Sequence, residues 1–393
     1  MMQYNKLVIM QWQNFDKRNS DLFAIPELID RGVKVEYWDV SAISIPGYQV
    51  HSYPPPKGLI VRTVANKSDF VSLIESNTKE STAYLVHMTY CHYSYLCFRL
   101  LSKYKCSIIY CINGCLPSGK SEYSSIFAYL RSLPLKTIIT VIKRRFYLGV
   151  AKTSLVSGTD YVLASCGEAY CHRQECKIDS RTIWVDYNSC DYQQYLTNRK
   201  TLSSIPENCI VFIDQNLPFH PDNKIEGLFI DANSYYTAMN HLFDAIEQKY
   251  NKKIVIAAHP SCYDNYVGGD YFNGRMVVQG STMEAVSKAW AVIAHNSTAI
   301  SFPIIFKKPI ILVTTEDMHQ VRKHTCFFCS LYSKLLNCVY LNSENSIKLP
   351  DTLIVDELAY DSFKYQYLTN QASEGVSNGK ILFDILAGKY SRN

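Results

Sequence analysis

Three short apolar runs in the second half of the sequence each end in side chains that can do chemistry. The runs predict β-strands at Cys209–Asp214, Ile254–Ala258 and Ala291–His295. The polar clusters that close them are Asp214-Gln215-Asn216, His259-Pro260-Ser261 and His295-Asn296-Ser297-Thr298. Because the carboxyl ends of parallel strands share one edge of a sheet, we expect a carboxylate, two imidazoles and several hydroxyl groups to converge there.

This combination suits the departure of a phosphate group. An imidazole has an unperturbed pKa of about 6.5, so His259, with help from His295, could donate a hydrogen bond or a proton to a leaving phosphate. Pro260 ends the strand directly after His259 and leaves that ring at the edge of the sheet. Ser297 and Thr298 open a predicted helix whose first N–H groups favour an anion, although simple helix capping explains the same pair.

The ordered set of Phe212-Ile213-Asp214-Gln215, a downstream His259-Pro260 and then Ser297-Thr298 resembles bacterial sialyltransferases and related glycosyltransferases of the two-lobed GT-B fold. The resemblance covers about the second half of the chain. It implies a CMP-activated donor sugar, with His259 on the leaving phosphate and Ser297 and Thr298 holding it. The remaining residues of the expected nucleotide site are Gln215, Pro260, Ser261, His295 and Asn296.

The catalytic base is the least defined part of this site. The family's acidic pair followed by glycine has no clear counterpart, since its nearest shape is Ile112-Asn113-Gly114. Inverting transfer needs a base for the acceptor hydroxyl, and the candidates are Asp214 at the edge of the second lobe and Asp16 after the first strand. An aspartate in either position is also a common turn or cap residue. No Asp-x-Asp occurs, so we expect no metal and no cofactor beyond the donor substrate.

Two other activities compete with this interpretation. A CDP-polyol phosphotransferase of wall-polymer synthesis would use histidine and hydroxyl groups on a phosphate in the same architecture. Separately, Gly114–Ser121 fits the phosphate loop of nucleoside triphosphatases and kinases. Pro117 lies in the middle of that loop and has no N–H to offer a phosphate.

Alternating apolar runs and helical segments predict an α/β protein of two doubly wound, Rossmann-like lobes with a central cleft. The first lobe, 1–186, is predicted to bind the acceptor, and a polar linker follows at 187–207. The second lobe, 208–393, is predicted to bind the nucleotide sugar. The expected helix at Thr298–Phe306 belongs to this second lobe.

Composition limits the partners and the location. The chain has 393 residues, 47% hydrophobic, and a formal net charge of only +5, which is too mild to favour nucleic acid. No export signal or spanning segment is visible, so a cytoplasmic location is expected. The basic, amphipathic stretch Lys136–Lys152 predicts peripheral contact with the inner face of the membrane, with a solvated helix face as the alternative. The predicted acceptor is a surface polysaccharide or a lipid-linked glycan, and the predicted donor sugar is sialic-acid-like or Kdo.

Overall fold

The computed structural model describes residues 2–45, 52–77, 80–112, 117, 135–166, 176–197, 204–220, 223, 229–259, 266, 269–343 and 347–390. Its strands are β1 (Lys6–Gln11), β2 (Lys34–Asp39), β3 (Ile60–Thr63), β4 (Thr82–Val86), β5 (Ser107–Cys111), β6 (Tyr161–Ala164), β7 (Ile183–Asp186), β8 (Ile210–Ile213), β9 (Ile254–Ala258), β10 (Met276–Gln279), β11 (Ala291–Ala294), β12 (Ile310–Thr314) and β13 (Val339–Asn342).

The helices alternate with these strands. They are α1 (Lys17–Leu22), α2 (Ile25–Asp30), α3 (Ser41–Ser44), α4 (Lys67–Asn77), α5 (Tyr95–Lys103), α6 (Leu135–Ala151), α7 (Cys190–Thr197), α8 (Ala232–Tyr250), α9 (Thr282–Lys288), α10 (Ser301–Ile305), α11 (Glu316–Val321), α12 (Lys323–Leu335), α13 (Glu357–Phe363) and α14 (Asn378–Leu386). Short 3₁₀ turns lie at Leu217–Phe219 and Thr298–Ile300.

The first compact unit is built on a seven-stranded sheet in the order β3-β2-β1-β4-β5-β6-β7, with every pair parallel. Successive side chains of β1 point to opposite faces. Leu7 and Ile9 therefore enter one buried cluster, which α14 shares, and Val8 and Met10 enter the other, which α4 and α5 share. A sheet covered on both faces explains why its central strands are almost continuously apolar.

The second unit holds a six-stranded parallel sheet in the order β10-β9-β8-β11-β12-β13. Phe212 of β8 pairs with Ile256 of β9 on one side and with Ile293 of β11 on the other, so β8 lies between the two strands that carry the histidines. The predicted fold class of two Rossmann-like α/β units is confirmed.

The limits of the units differ from the predicted domains. The first unit takes in residues up to Thr197 and also Gln366–Asn393, while the second consists mainly of Asn198–Tyr365. The chain returns because one side of α14 is apolar, and Leu382, Ile385 and Leu386 are fully buried against the first sheet. Part of the predicted linker forms α7, and β13 was not predicted because its residues are only half-buried.

No helix within the described ranges is both long enough and apolar enough to cross a membrane.

Candidate active site at the carboxyl edge of the second sheet

The three polar clusters follow β8, β9 and β11, which are neighbours in the sheet. The side-chain amide of Gln215, after β8, donates to the backbone oxygen of Asn296, after β11, at 2.6 Å. The backbone N–H of His259, after β9, is a hydrogen-bond donor to the Asp214 carboxylate. The sheet therefore brings the predicted clusters to one edge.

Asp214 lies under this edge with 2% of its surface exposed. Its carboxylate accepts hydrogen bonds from the Tyr266 hydroxyl and, at 2.9 Å, from the backbone N–H of Asn216. Burial raises the pKa of Asp214 to about 6, although the hydrogen bonds from Tyr266 and from backbone N–H groups oppose that rise. Hydrogen bonds to the Asp214 carboxylate thus connect the ends of β8 and β9 with Tyr266.

His259 is half-buried, as its place at the end of β9 predicted. Its ring lies 5.5 Å from the ring of His220, at an interplanar angle of 68°. Two imidazoles at this separation can face one anionic group from two sides. Pro260 and Ser261, the other predicted residues of this cluster, lie outside the described residues.

His295 is placed differently from the expectation that it would help at the edge. It is fully buried, and its Nε2 is 2.8 Å from the Tyr235 hydroxyl while its Nδ1 is 2.7 Å from the backbone oxygen of Val313. Burial lowers its pKa to about 4, so the ring is neutral near pH 7. The reason is positional: His295 follows a central strand and points into the core beside Phe212, rather than outward.

Ser297 forms the capping bond that competed with a phosphate role. Its hydroxyl accepts from the backbone N–H of Ala299 at 3.2 Å, and its side chain is largely buried, whereas Thr298 is exposed. The predicted helix Thr298–Phe306 is a 3₁₀ turn at Thr298–Ile300 followed by the short α10. The structure therefore leaves Thr298 as the more accessible of the two hydroxyl groups.

Asp16 caps α1 in the first unit. One carboxylate oxygen accepts from the backbone N–H of Asn19 at 2.7 Å, and the other accepts from the Gln13 side chain at 2.8 Å. Burial raises its pKa, against the opposing hydrogen bond from Asn19 and the charge of Arg18. The structural explanation for this aspartate is thus a helix cap.

The sequence interpretation missed several residues around this edge. His220 and Tyr266 are described above, and Asn216 is fully buried in the left-handed conformation with φ +48°. Arg322 donates to the side-chain oxygen of Asn223. The side-chain N–H groups of Asn223 in turn donate to the backbone oxygens of Leu217 and Pro218. A signal for His220 existed, because His220-Pro221 repeats the dipeptide His259-Pro260.

The structure describes only part of the chain that bears on the candidate phosphate loop and on metal binding. The candidate phosphate loop Gly114–Ser121 lies outside the described residues except for Pro117. Within the described ranges, no three His, Cys, Asp or Glu side chains converge as a metal site would require.

Comparison with known proteins adds evidence on the fold. No protein-family model and no curated protein matches the sequence. The chain is similar to a solved structure from Listeria monocytogenes described as a UDP-N-acetylglucosamine 2-epimerase, with 12% identity, a TM-score of 0.51, and coverage of 99% of this chain and 98% of that one. It is also similar to a histidine variant of the wall teichoic acid polymerase TagF, with 11% identity, a TM-score of 0.52, and coverage of 98% and 90%. At these identities the likeness concerns the fold, which is of the GT-B type.

Proposed function

We propose that the protein is an inverting, metal-independent glycosyltransferase that uses a CMP-activated acidic sugar, sialic-acid-like or Kdo. Its acceptor is a surface polysaccharide or a lipid-linked glycan. The observation that carries the proposal is His259, half-buried at the end of β9, with the ring of His220 at 5.5 Å.

The role of His259 follows from the leaving group. Loss of CMP transfers negative charge to a phosphate oxygen, so a donor positioned there acts mainly in the transition state. An imidazole at this position can supply either a hydrogen bond or a proton to that oxygen. The backbone bond from His259 to the buried Asp214 carboxylate fixes the end of β9 without requiring the ring to do so.

Ser297, Thr298, Gln215 and Asn296 support the proposal as the second side of the phosphate site. The bond from Gln215 to the Asn296 backbone oxygen holds the turn that carries both hydroxyl groups. His295 supports this turn only indirectly, because its bonds to the Tyr235 hydroxyl and the Val313 backbone oxygen hold the end of β11, which leads into Asn296 and Ser297. Pro260 and Ser261, which directly follow His259 in the sequence, complete the proposed site.

The base that accepts the proton of the acceptor hydroxyl is Asp214 or Asp16 in this proposal. Asp214 has the pKa that suits a base, about 6, but it is buried under Tyr266. Asp16 is more accessible but serves as a cap. Replacing each by Asn separates them, because only loss of the true base abolishes transfer while leaving donor binding intact.

A second candidate is transfer of a polyol phosphate from a CDP-activated donor. It is favoured by the TM-score of 0.52 to a wall teichoic acid polymerase. The same histidines and hydroxyl groups would serve it, since the bond that breaks also lies at a phosphate.

A donor panel tests both candidates. Purified protein would be incubated with CMP-sialic acid, CMP-Kdo, CDP-glycerol, UDP-N-acetylglucosamine and ATP, each with and without EDTA, and the release of each nucleotide would be measured. Release of CMP that survives EDTA supports the proposal. Turnover of CDP-glycerol alone selects the second candidate, and hydrolysis of ATP alone would contradict both and favour the phosphate loop at Gly114–Ser121.

A further inference from the structure

The helix α6 has one face that belongs to the core of the first unit. Tyr147, Leu148 and Ala151 pack against the buried cluster under α4 and α5. The Tyr90 hydroxyl donates to the backbone oxygen of Tyr147 at 3.1 Å. These contacts fix the rotation of the carboxyl-terminal half of α6, and so they fix which side chains face away.

The side chains on the opposite face are large and apolar. Ile142 is 62% exposed and Phe146 is 66% exposed. They are four residues apart, so they lie on one stripe separated by roughly 40° around the axis. That stripe lies about opposite Ala151, which is packed inward, and it therefore cannot be buried by a small rotation of the helix.

Cations flank this stripe on both sides. Lys143 and Arg145 are exposed, and helical geometry places one on each side of Ile142. The sequence from Tyr123 to Thr159 holds six Lys and Arg residues and no Asp or Glu. A basic rim around an apolar stripe complements an anionic lipid surface, where apolar side chains enter the acyl region and cations remain at the headgroups.

We propose that α6 docks the protein on an anionic bilayer, with Ile142 and Phe146 inserted between the lipids and Lys143 and Arg145 on their headgroups. A partner protein would be expected to offer acidic groups to the rim, and is the competing occupant. The bilayer is favoured because both described charges beside the stripe are positive and the sequence from Tyr123 to Thr159 contains no acidic residue that would oppose an anionic surface. The proposal is independent of the donor chemistry.

Vesicle flotation of the full chain tests this surface. We expect binding to vesicles of 30% phosphatidylglycerol in phosphatidylcholine at low salt, weak binding to phosphatidylcholine alone, and release from the anionic vesicles as salt rises. The variant Ile142→Ser with Phe146→Ser should lower the partition coefficient at least tenfold. The variant Lys143→Gln with Arg145→Gln should lower it roughly fivefold per charge.

Matched controls use side chains of the same kind elsewhere. Ile354→Ser with Leu358→Ser removes a second exposed apolar pair, 75% and 85% exposed. Lys103→Gln with Lys105→Gln removes two exposed cations outside α6. Both controls should leave partition unchanged, and circular dichroism checks the fold of every variant.

A Phe146→Trp variant reports insertion directly. Its emission should shift to shorter wavelength on anionic vesicles and be quenched by brominated acyl chains. Absence of vesicle binding by the parent, equal binding by the Ile142→Ser, Phe146→Ser variant, or an unshifted tryptophan spectrum on bound vesicles would each overturn the proposal. A self-association lost in the same variant, without vesicle binding, would assign the stripe to a protein interface instead.

Discussion

Two buried carboxylates, one in each parallel sheet, differ in what surrounds them. Glu36 of β2 is 4% exposed, and Lys6, at the start of β1, lies 2.8 Å away with Arg62 at 3.0 Å. Burial alone would raise the pKa of Glu36, but hydrogen bonds from Arg62, Lys6 and Trp38 outweigh it, and the pKa falls below its usual range. Asp214, at the carboxyl end of β8, forms no ion pair within the described ranges, and its pKa rises to about 6.

The opposite pKa shifts distinguish Glu36, a structural charge, from Asp214, which lies among candidate functional groups. The lowered pKa of Glu36, paired with two cations, keeps that carboxylate ionised at neutral pH, where it acts as a structural charge. A buried carboxylate held by a tyrosine hydroxyl and backbone N–H groups changes its charge near neutrality, which is a property of active sites. If the two regions divide function and stability in this way, substitutions at Asp214 and His259 should change activity or its pH dependence, and substitutions beside Glu36 should change stability alone.

The largest effect is expected from His259→Ala. A positioned acid on the leaving phosphate contributes a factor of about 10²–10⁴, so turnover of the nucleotide donor identified by the panel should fall by that much, while the melting temperature changes little because His259 is only half-buried. His241→Ala, an exposed histidine of α8, is the matched control and should leave both unchanged. Near-parental turnover of a folded His259→Ala protein would show that His259 is structural.

Lys6→Met should have the opposite profile. It leaves Glu36 buried with only the more exposed Arg62 as a cation, and breaking a buried pair costs on the order of 3 kcal/mol, measurable by urea unfolding. Turnover per folded molecule should remain parental. Lys34→Met is the matched control, because Lys34 is an exposed partner of Glu80 at 3.1 Å and such pairs contribute about 1 kcal/mol or less. Equal losses for the two variants would contradict a special role for the buried cluster.

The sequence predicted the fold more fully than the site. Buried strands such as β1, β8 and β11 are nearly continuous apolar runs. Because the carboxyl ends of parallel strands share one edge of a sheet, the sequence alone predicts that Asp214 and His259 lie at the same edge. The return of α14 to the first unit was not predictable from local pattern, because an apolar helix face does not indicate which sheet buries it. His295 shows the same limit: the register places it at the end of a strand, but only the packing of Phe212 and Tyr235 decides that its ring points inward.

The pH dependence of stability should distinguish the two carboxylates by sign. Folded Asp214 has a pKa of about 6, whereas an unfolded aspartate loses its proton near pH ~3.9. Between these values the folded chain holds more protons, so the free energy of unfolding should fall as pH rises, by roughly 3 kcal/mol in total.

Asp214→Asn should remove that slope. Glu36→Gln should remove an opposite one, since the lowered pKa of Glu36 stabilises the fold above the unfolded value and that stabilisation is lost as the pH falls through the folded value. Urea unfolding of parent and variants between pH 3 and 7 checks this. Parallel pH curves for the parent and Asp214→Asn would contradict the raised pKa.

The smallest effect is expected from Ser297→Ala with Thr298→Ala. A hydrogen bond to a charged phosphate is worth about 1.5–3 kcal/mol, so loss of the bond from the exposed Thr298 hydroxyl alone should weaken CMP binding at least tenfold by calorimetry. Loss of the Ser297 cap could also disturb the turn at Thr298–Ile300, even if Ser297 does not bind phosphate. Ser377→Ala is the control for this effect. Ser377 caps α14 in the first unit by accepting from the backbone N–H of Lys380 at 3.1 Å. If the double variant loses stability as Ser377→Ala does but binds CMP as tightly as the parent, the two hydroxyl groups belong with Glu36 on the structural side of the comparison. If it loses affinity while keeping its fold, they belong with His259.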